Sequence, residues 1–211
     1  MADDPKDGPD VSVIMPAYNE EATIATILER VLATPHDKEI LVIDDGSSDA
    51  TAARVAPFEK RGVRLLRHER NMGKGAALKT GFRSARGRVL LIQDADLEYD
   101  PRDYADLLDP IFEDQADVVY GSRFLGGPHR VLYFWHYVAN KMLTLWSNML
   151  SNLNLTDVET GYKVFRREVI TALELKENSF GIEPEITQKV ARAGWRIYEV
   201  PISYYGRTYE E

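Results

Sequence analysis

Short apolar runs alternate with amphipathic stretches along the first 120 residues of the chain. Runs of the kind that forms a buried strand lie at residues 11–15, 39–43, 63–67, 89–92 and 117–120. Between them, apolar residues recur at every third or fourth position, as at Ile24, Ile27 and Val31. Strands that alternate with helices predict an α/β fold with a mainly parallel central sheet and helices on both faces.

Polar clusters follow four of these predicted strands, at residues 16–20, 44–47, 71–75 and 94–98. Ligands of parallel sheets bind outside the carboxyl ends of the strands, so the four clusters would share one rim. Each cluster alone also fits a helix cap or a tight turn. Together they favour a nucleotide site, in which Tyr18 packs on a base, Asp45 accepts a hydrogen bond from the base and Lys74 faces phosphate.

Three carboxylates alternate with other residues just after the strand at 89–92: Asp94, Asp96 and Glu98. If the extended backbone continues past Ile92, all three project to one side and repel each other unless a cation lies between them. Mg²⁺ or Mn²⁺ is the expected cation, because both take oxygen ligands and complete their shells with substrate phosphates. A solvated acidic turn is the alternative interpretation of an isolated Asp-x-Asp.

Composition narrows the function classes. The chain has 211 residues, 44% of them hydrophobic, which is enough for one well-formed core. A net charge of −8 argues against general binding of nucleic acid, which needs a basic face. Without cysteine there are no disulfides or thiolate metal sites. Residues 1–10 are polar and lack the apolar core of a signal peptide, so we predict a short disordered lead before a single domain at 11–211.

The second half contains a long stretch, about 131–152, with apolar residues three and four positions apart and several polar interruptions. It predicts an amphipathic helix that is a poor membrane-spanning segment. Two interpretations remain open: an ordinary core helix, or a helix that lies in a membrane interface with its tryptophans at headgroup depth. Further strands are predicted at 161–167 and 195–200. Helices are predicted at 168–173 and 180–193, where Glu183 and Glu185 fit a first helical turn better than a pair of catalytic acids.

Several motifs together resemble the family 2 glycosyltransferases of the GT-A fold, in particular the branch of dolichyl-phosphate mannose synthase and bacterial polyprenyl-phosphate glycosyltransferases. The motifs lie at residues 16–20, 44–47, 94–98, 121–123, 156–163 and 199–202. The resemblance implies a Rossmann-like half at 11–121 that binds the nucleotide sugar and a half at 122–211 that binds the acceptor.

The resemblance also implies roles for individual residues. The nucleotide-sugar contacts would be Pro16, Ala17, Tyr18, Glu20, Asp45, Lys74, Asp94, Ala95 and Asp96. Asp96 and Glu98 would hold Mg²⁺ or Mn²⁺, although many relatives have glutamine where Glu98 stands. The acceptor phosphate would meet Ser122, Arg123, Arg130 and Arg207, and the catalytic residues would be Asp157, Arg123 and Arg207.

The implied reaction is an inverting, metal-dependent transfer of a hexose from a nucleotide-diphosphate sugar, of the GDP-mannose or UDP-glucose type, to a polyprenyl or dolichyl phosphate. The enzyme would be cytoplasmic and peripheral at the cytoplasmic membrane face, held there by its own surface, a membrane partner protein or a tail beyond residue 211. Three alternatives stay open: a transferase acting on a polysaccharide or protein hydroxyl, a sugar-phosphate nucleotidyltransferase, and a non-catalytic nucleotide-sugar-binding protein.

Overall fold

A computed structural model describes residues 8–126 and 133–206. Within those residues the strands are β1 (Val11–Ala17), β2 (Lys38–Asp44), β3 (Val63–Arg67), β4 (Val89–Ile92), β5 (Val118–Ser122), β6 (Lys163–Arg166) and β7 (Ile197–Pro201). The helices are α1 (Ile24–Leu32), α2 (Thr51–Glu59), α3 (Lys74–Ser84), α4 (Tyr104–Phe112), α5 (Phe134–Ser151), α6 (Arg167–Ala172) and α7 (Ile182–Ala193), with a 3₁₀ turn at Pro101–Asp103 before α4.

The strands of the described residues form one sheet in the order β3-β2-β1-β4-β6-β5-β7. The first four in this order are parallel, β6 runs antiparallel to both of its neighbours, and β7 is parallel to β5. The predicted α/β fold with a mainly parallel sheet is therefore confirmed. The chain steps outward from β1 to β2 and β3 and then returns to β4 on the other side of β1. This reversal opens a crevice at the carboxyl ends of β1 and β4.

Apolar side chains cover both faces of the sheet because successive strand residues point to opposite sides. In β1, Val13 and Met15 pack in the core formed with α1, α2 and α4, whereas Ile14 packs in the core formed with α3, α6 and α7. A sheet buried on both faces explains why its strands read as continuous apolar runs.

The structure corrects one local expectation. The strand geometry of β4 ends at Ile92, and residues 95–98 form bends instead of continuing the strand. Within them the backbone N–H of Glu98 donates to Asp96 Oδ1 at 3.0 Å. The backbone that carries the three carboxylates is therefore not extended, in contrast to the expectation from the sequence.

The predicted lead is only partly within the structure. Residues 1–7 lie outside the described residues. Asp10 forms an ion pair with Arg88, and its carbonyl accepts a hydrogen bond from Val89 N at 3.0 Å. The chain is therefore attached to the sheet one residue before β1 begins.

Candidate active site

A cavity of about 540 Å³ opens at the carboxyl ends of the parallel strands. Its wall contains every residue that the sequence predicts as a nucleotide-sugar contact: Pro16, Ala17, Tyr18, Glu20, Asp45, Lys74, Asp94, Ala95 and Asp96. The structure thus brings the four loops together, while the contacts with a ligand stay a prediction. A larger surface cleft of about 840 Å³, between α1 and residues 97–105, contains none of the predicted site residues.

The loops after β1 and β2 hold each other in place. Asn19 adopts a left-handed conformation (φ 55°), its N–H donates to Ser47 Oγ at 2.9 Å, and its Oδ1 accepts from Ser48 N at 2.9 Å. Asn19 therefore joins the two loops and does not cap α1. The neighbouring Tyr18 is 46% exposed at the cavity, as a ring that packs on a base must be.

Asp45 is largely occupied by hydrogen bonds within the protein. Its carboxylate lies 2.6 Å from His68 Nδ1 and accepts from the backbone N–H groups of Met72, at 3.0 Å, and Gly73, at 2.7 Å. A carboxylate offers about four acceptor positions, and the Met72 N–H also lies 3.1 Å from the second oxygen, so each oxygen already faces two donors. A base N–H would therefore have to share or displace one of them. Asp45 thus shapes the loop at 71–73, and its contact with a base remains a prediction.

Lys74 supplies positive charge to the cavity wall. Its Nζ lies 2.9 Å from Asp94 Oδ1 and 3.4 Å from Glu183 Oε1. Burial lowers the pKa of Lys74, but the two carboxylates outweigh burial and raise the pKa above its ordinary value. The amine is therefore protonated at neutral pH. It also supplies the cation beside Asp94 that the sequence argument assigned to a metal.

Two glycines allow the segments around Lys74 and Asp94 to pack closely at the cavity wall. Gly73 precedes Lys74 with φ 96°, and a Cβ there would lie 2.3 Å from the carbonyl oxygen of Asn178. At Gly161 a Cβ would lie 2.2 Å from Asp94 Oδ2. Residue 161 must therefore lack a side chain for Asp94 to occupy its place at the cavity.

The proposed metal ligands occupy different surroundings. Asp96 lies in the cavity wall, whereas the Glu98 carboxylate accepts a hydrogen bond from the Tyr204 hydroxyl at 2.9 Å. Burial raises the pKa of Tyr204 to about 12, so the hydroxyl keeps its proton and donates. No group of three or more side chains with metal-ligand chemistry occurs in the part of the chain that the structure describes. Mg²⁺ and Mn²⁺ are often held by only one or two protein carboxylates, so Asp96 could serve as the protein ligand of such an ion.

A second polar cluster lies after β5. Arg123 donates to Asp157 through Nε at 2.7 Å and Nη2 at 2.8 Å, and its guanidinium lies 5.1 Å from the centre of the Tyr204 ring. Asp157 is fully buried and also accepts from Asn140 Nδ2 at 3.2 Å. Burial lowers the pKa of Arg123, but the hydrogen bonds to Asp157 outweigh it, and the net pKa is raised. Asp157 thus orients the guanidinium.

The other predicted acceptor contacts differ in what the structure shows of them. Ser122 is buried, with its hydroxyl 2.6 Å from Thr156 Oγ1 and accepting from Phe124 N at 3.1 Å, so it stabilises the turn after β5. Arg130 and Arg207 lie outside the described residues.

Several site residues were not assigned a role from the sequence. Phe180 lines the cavity with 74% of its surface exposed, and only its place before α7 could have indicated it. Glu199 accepts hydrogen bonds from the backbone N–H groups of Thr156, at 2.9 Å, and Asp157, at 3.2 Å. It stands in a motif that carries the family resemblance.

The two glutamates of α7 have different roles. Glu183 lies in the first turn, as expected, but it is buried and paired with Lys163 and Lys74. Glu185 accepts from the backbone N–H groups of Lys176, at 2.9 Å, and Glu177, also at 2.9 Å. The helix-terminus interpretation therefore describes only part of what Glu183 does.

Helix α5 presents its apolar side outward. Its buried residues are Thr144 and Ser147. The exposed side carries Phe134, Trp135, Met142, Leu143, Leu145, Trp146, Met149 and Leu150. The interpretation as an ordinary core helix is therefore wrong. Among the described residues, no helix combines the length and apolar character needed to cross a bilayer.

Polar side chains attach α5 to the segment at 155–158. Asn148 Nδ2 donates to the carbonyl oxygen of Leu155 at 2.8 Å, and Lys141 donates to that of Thr156 at 3.0 Å. The backbone N–H of Val158 donates to Thr144 Oγ1 at 3.3 Å. The helix that exposes the apolar surface is therefore fixed to the segment that contains Asp157.

Comparison with known sequences identifies the family. The profile of glycosyl transferase family 2 matches residues 12–173. The chain belongs to this family. It is a glycosyltransferase of the GT-A fold, as the sequence motifs predicted, and the nucleotidyltransferase interpretation is wrong. It is 32% identical over 209 residues to undecaprenyl-phosphate mannosyltransferase of Micrococcus luteus, covering 93% of this chain and 84% of that protein.

A second relative and a solved structure agree with this family and fold. The chain is 31% identical over 205 residues to polyprenol monophosphomannose synthase of Mycolicibacterium smegmatis, covering 92% of this chain and 77% of that protein. The fold is similar to that of glucosyl-3-phosphoglycerate synthase from Mycobacterium tuberculosis in complex with Mn²⁺ and UDP-glucose, with a TM-score of 0.73 and 24% identity over 96% of this chain and 73% of that one. The predicted likeness to the polyprenyl-phosphate branch is therefore confirmed.

Proposed function

We propose that this glycosyltransferase transfers a hexose from a nucleotide-diphosphate sugar, of the GDP-mannose or UDP-glucose type, to a polyprenyl or dolichyl phosphate, with inversion, at the cytoplasmic face of the membrane. The observation that carries the proposal is the attachment of α5 to the segment at 155–158. An outward apolar surface and the Arg123–Asp157 pair are parts of one unit, so a lipid chain on the former can place its phosphate near the latter. The names of the two relatives support the same acceptor class.

Donor binding uses the cavity. Tyr18 would pack on the base, and Lys74 would meet the diphosphate, whose negative charge grows as the glycosidic bond breaks. Asp96 would hold Mg²⁺ or Mn²⁺, a cation that would stabilise the charge of the leaving diphosphate. Glu98 would join it only by giving up the hydrogen bond from Tyr204.

The acceptor requires orientation more than deprotonation. A phosphate monoester has a second pKa of about 6, so at neutral pH it already presents an anionic oxygen as nucleophile. Arg123 is charged and held at fixed geometry by Asp157, and 13% of its side chain remains exposed for a phosphate to reach. A membrane-bound acceptor would then be oriented by Arg123 while its chain lies along α5.

A hydroxyl acceptor is less well supported. It needs a base to take its proton during attack, and Asp157 is the carboxylate that the sequence suggests for this task. In the structure the Asp157 oxygens already accept from Arg123 and Asn140. These contacts leave Asp157 directed at Arg123 and Asn140 instead of at an acceptor hydroxyl.

The test measures release of nucleoside diphosphate from a panel of UDP- and GDP-sugars. Reactions are run with and without a short-chain polyprenyl phosphate, in Mg²⁺, Mn²⁺ or EDTA. We expect nucleoside diphosphate to be released only when the lipid phosphate and the metal are both present. The nucleotide sugar that supports this release is then identified as the donor. Release that ignores the lipid phosphate but responds to a sugar or peptide hydroxyl would overturn the acceptor assignment and leave the donor half intact.

A further inference from the structure

Four charged side chains from separate elements form a line that leads from the core to the cavity wall. Lys163, the first residue of β6, pairs with Glu183 in the first turn of α7. Glu183 lies 3.4 Å from Lys74, and Lys74 lies 2.9 Å from Asp94. Charges alternate along the line, and only its outer end, Lys74 and Asp94, lines the cavity.

Lys163 is fully buried and has no direct part in the proposed transfer. Its amine donates to the carbonyl oxygens of Val158, at 3.1 Å, and Thr160, at 2.5 Å, as well as to Glu183, and it lies 5.0 Å from the centre of the Tyr120 ring. An ammonium buried in this way destabilises the fold unless its partners compensate. An apolar side chain would fill the same space without that cost, so the charge itself calls for an explanation.

Glu183 connects this buried cation to the cavity. One carboxylate oxygen binds Lys163. The other, Oε1, is buried and accepts no hydrogen bond from the described residues, although Lys74 lies within ion-pair distance. Glu183 therefore acts on Lys74 through charge at a slightly longer separation than a hydrogen bond. Lys163 prevents Glu183 from turning fully towards Lys74.

We propose that Glu183, held by Lys163, is a positioning residue for Lys74 in donor binding. Two carboxylates share the Lys74 amine, so it stays at the cavity wall, where the diphosphate of the donor can take over the contact with Asp94. Without Glu183, Lys74 would pair with Asp94 alone, and the diphosphate would have to compete with a stronger ion pair. The inference rests on the proposed nucleotide-diphosphate donor.

The decisive variant is the double substitution Lys163→Met with Glu183→Met. It removes one positive and one negative charge, so the net charge near the cavity is unchanged. Each single substitution strands a buried charge and is expected to lower the melting temperature, whereas the double variant is expected to regain most of that loss. Calorimetry measures the affinity for UDP and for GDP. We expect the double variant to bind the preferred nucleotide about tenfold more weakly than the natural chain despite its recovered stability.

Two further variants separate positioning from structural support. Glu183→Gln keeps the shape and removes the charge, and it should bind the nucleotide as weakly as the double variant. Glu39→Gln is the control: Glu39 is also buried and paired, with Arg64 and Arg86 at 3.0 Å, but it lies at the start of β2, away from the cavity. We expect it to lose stability and to keep the nucleotide affinity.

The outcomes are distinct. Unchanged or tighter nucleotide binding by the double variant would overturn the positioning role and leave the proposed function standing. If the natural chain bound neither UDP nor GDP, the proposed donor class would fall, and this inference would fall with it. Weaker binding by Glu39→Gln as well would show that any loss of a buried carboxylate disturbs the cavity, which would also overturn the inference.

Discussion

The proposed donor cavity and the proposed acceptor region are built in different ways. Most cavity residues follow the parallel strands β1 to β4 or lie in α3, and the topology of the sheet brings these points together. In the acceptor region Arg123 depends on Asp157, and the segment around Asp157 depends on Glu199 in β7 and on the polar side of α5. The first arrangement follows from strand ends, and the second from contacts between distant segments.

Because the two regions are built differently, we expect donor specificity and acceptor specificity to change independently. We expect the cavity to keep its donor while α5 and the segment at 155–158 change, because hydrogen bonds join that segment to α5, Arg123 and Glu199. The proposed acceptor region in turn joins the exposed apolar surface of α5 to a fixed arginine, so we expect changes on that surface to alter membrane binding. Three predictions test this separation, and a fourth concerns an ion pair remote from both regions.

The largest expected effect is at Asp96. Asp96→Asn should lower kcat/KM by about 10² to 10³-fold, as loss of one transition-state contact does, whether lipid phosphate or a soluble analogue is the acceptor. Glu98→Gln should lower it less than about tenfold, because its carboxylate is held by Tyr204. Steady-state kinetics at several Mn²⁺ concentrations measures both. Equal losses would show that Glu98 turns into the cavity when the donor binds.

Asp157→Asn should have an intermediate effect that is confined to the acceptor. Arg123 loses its charged partner but keeps a hydrogen-bonding neighbour, so we expect about a tenfold rise in the KM for polyprenyl phosphate and an unchanged KM for the donor. The pH dependence of kcat should not change. A loss of about 10³-fold or more, with an altered pH profile, would identify Asp157 as a base and favour a hydroxyl acceptor.

The exposed side of α5 should affect membrane binding alone. Trp135→Glu with Trp146→Glu replaces two tryptophans that are 74% and 58% exposed, and binding to polyprenyl-phosphate vesicles should fall about tenfold or more. The rate with a short-chain soluble acceptor should stay within about twofold. Phe112→Glu on α4 is the control and should bind vesicles normally. Retained vesicle binding by the double variant would remove α5 from the membrane contact.

The smallest effect concerns an ion pair remote from both regions. Hydrogen bonds from Arg196 lower the pKa of Asp117 in the folded state. The contribution of Asp117 to stability is therefore complete above its unfolded-state pKa of about 3.9, and it is lost as the pH falls through the folded-state pKa. Asp117→Asn should lower the free energy of unfolding by about 1 kcal/mol at pH 7, since Arg196 is half exposed.

Urea unfolding at pH 7 and at about pH 3 tests this prediction. The difference in free energy of unfolding between the natural chain and Asp117→Asn should shrink at the lower pH. Transfer activity should not change. The exposed Asp109→Asn on α4 serves as the control. A difference that grows on acidification would contradict the assignment.

The pattern of residues along the chain was sufficient to predict the alternation of strands and helices, the family, and the loops that meet at the cavity. Periodicity and strand-end chemistry are local properties, and the topology of a parallel sheet converts them into a common rim. Tyr18, Lys74 and Asp96 could therefore be predicted to lie together before any coordinates were considered.

The orientation of α5 and the partners of the buried charges follow from the packing of the folded chain. The pattern of α5 shows an apolar side but not what that side faces, because burial depends on which other elements come near. Likewise, no spacing rule connects Lys163 with Glu183 or Arg123 with Asp157, which lie far apart along the chain and pair only after the sheet has formed. Ion pairs between distant segments are set by packing, which the local pattern of residues does not encode.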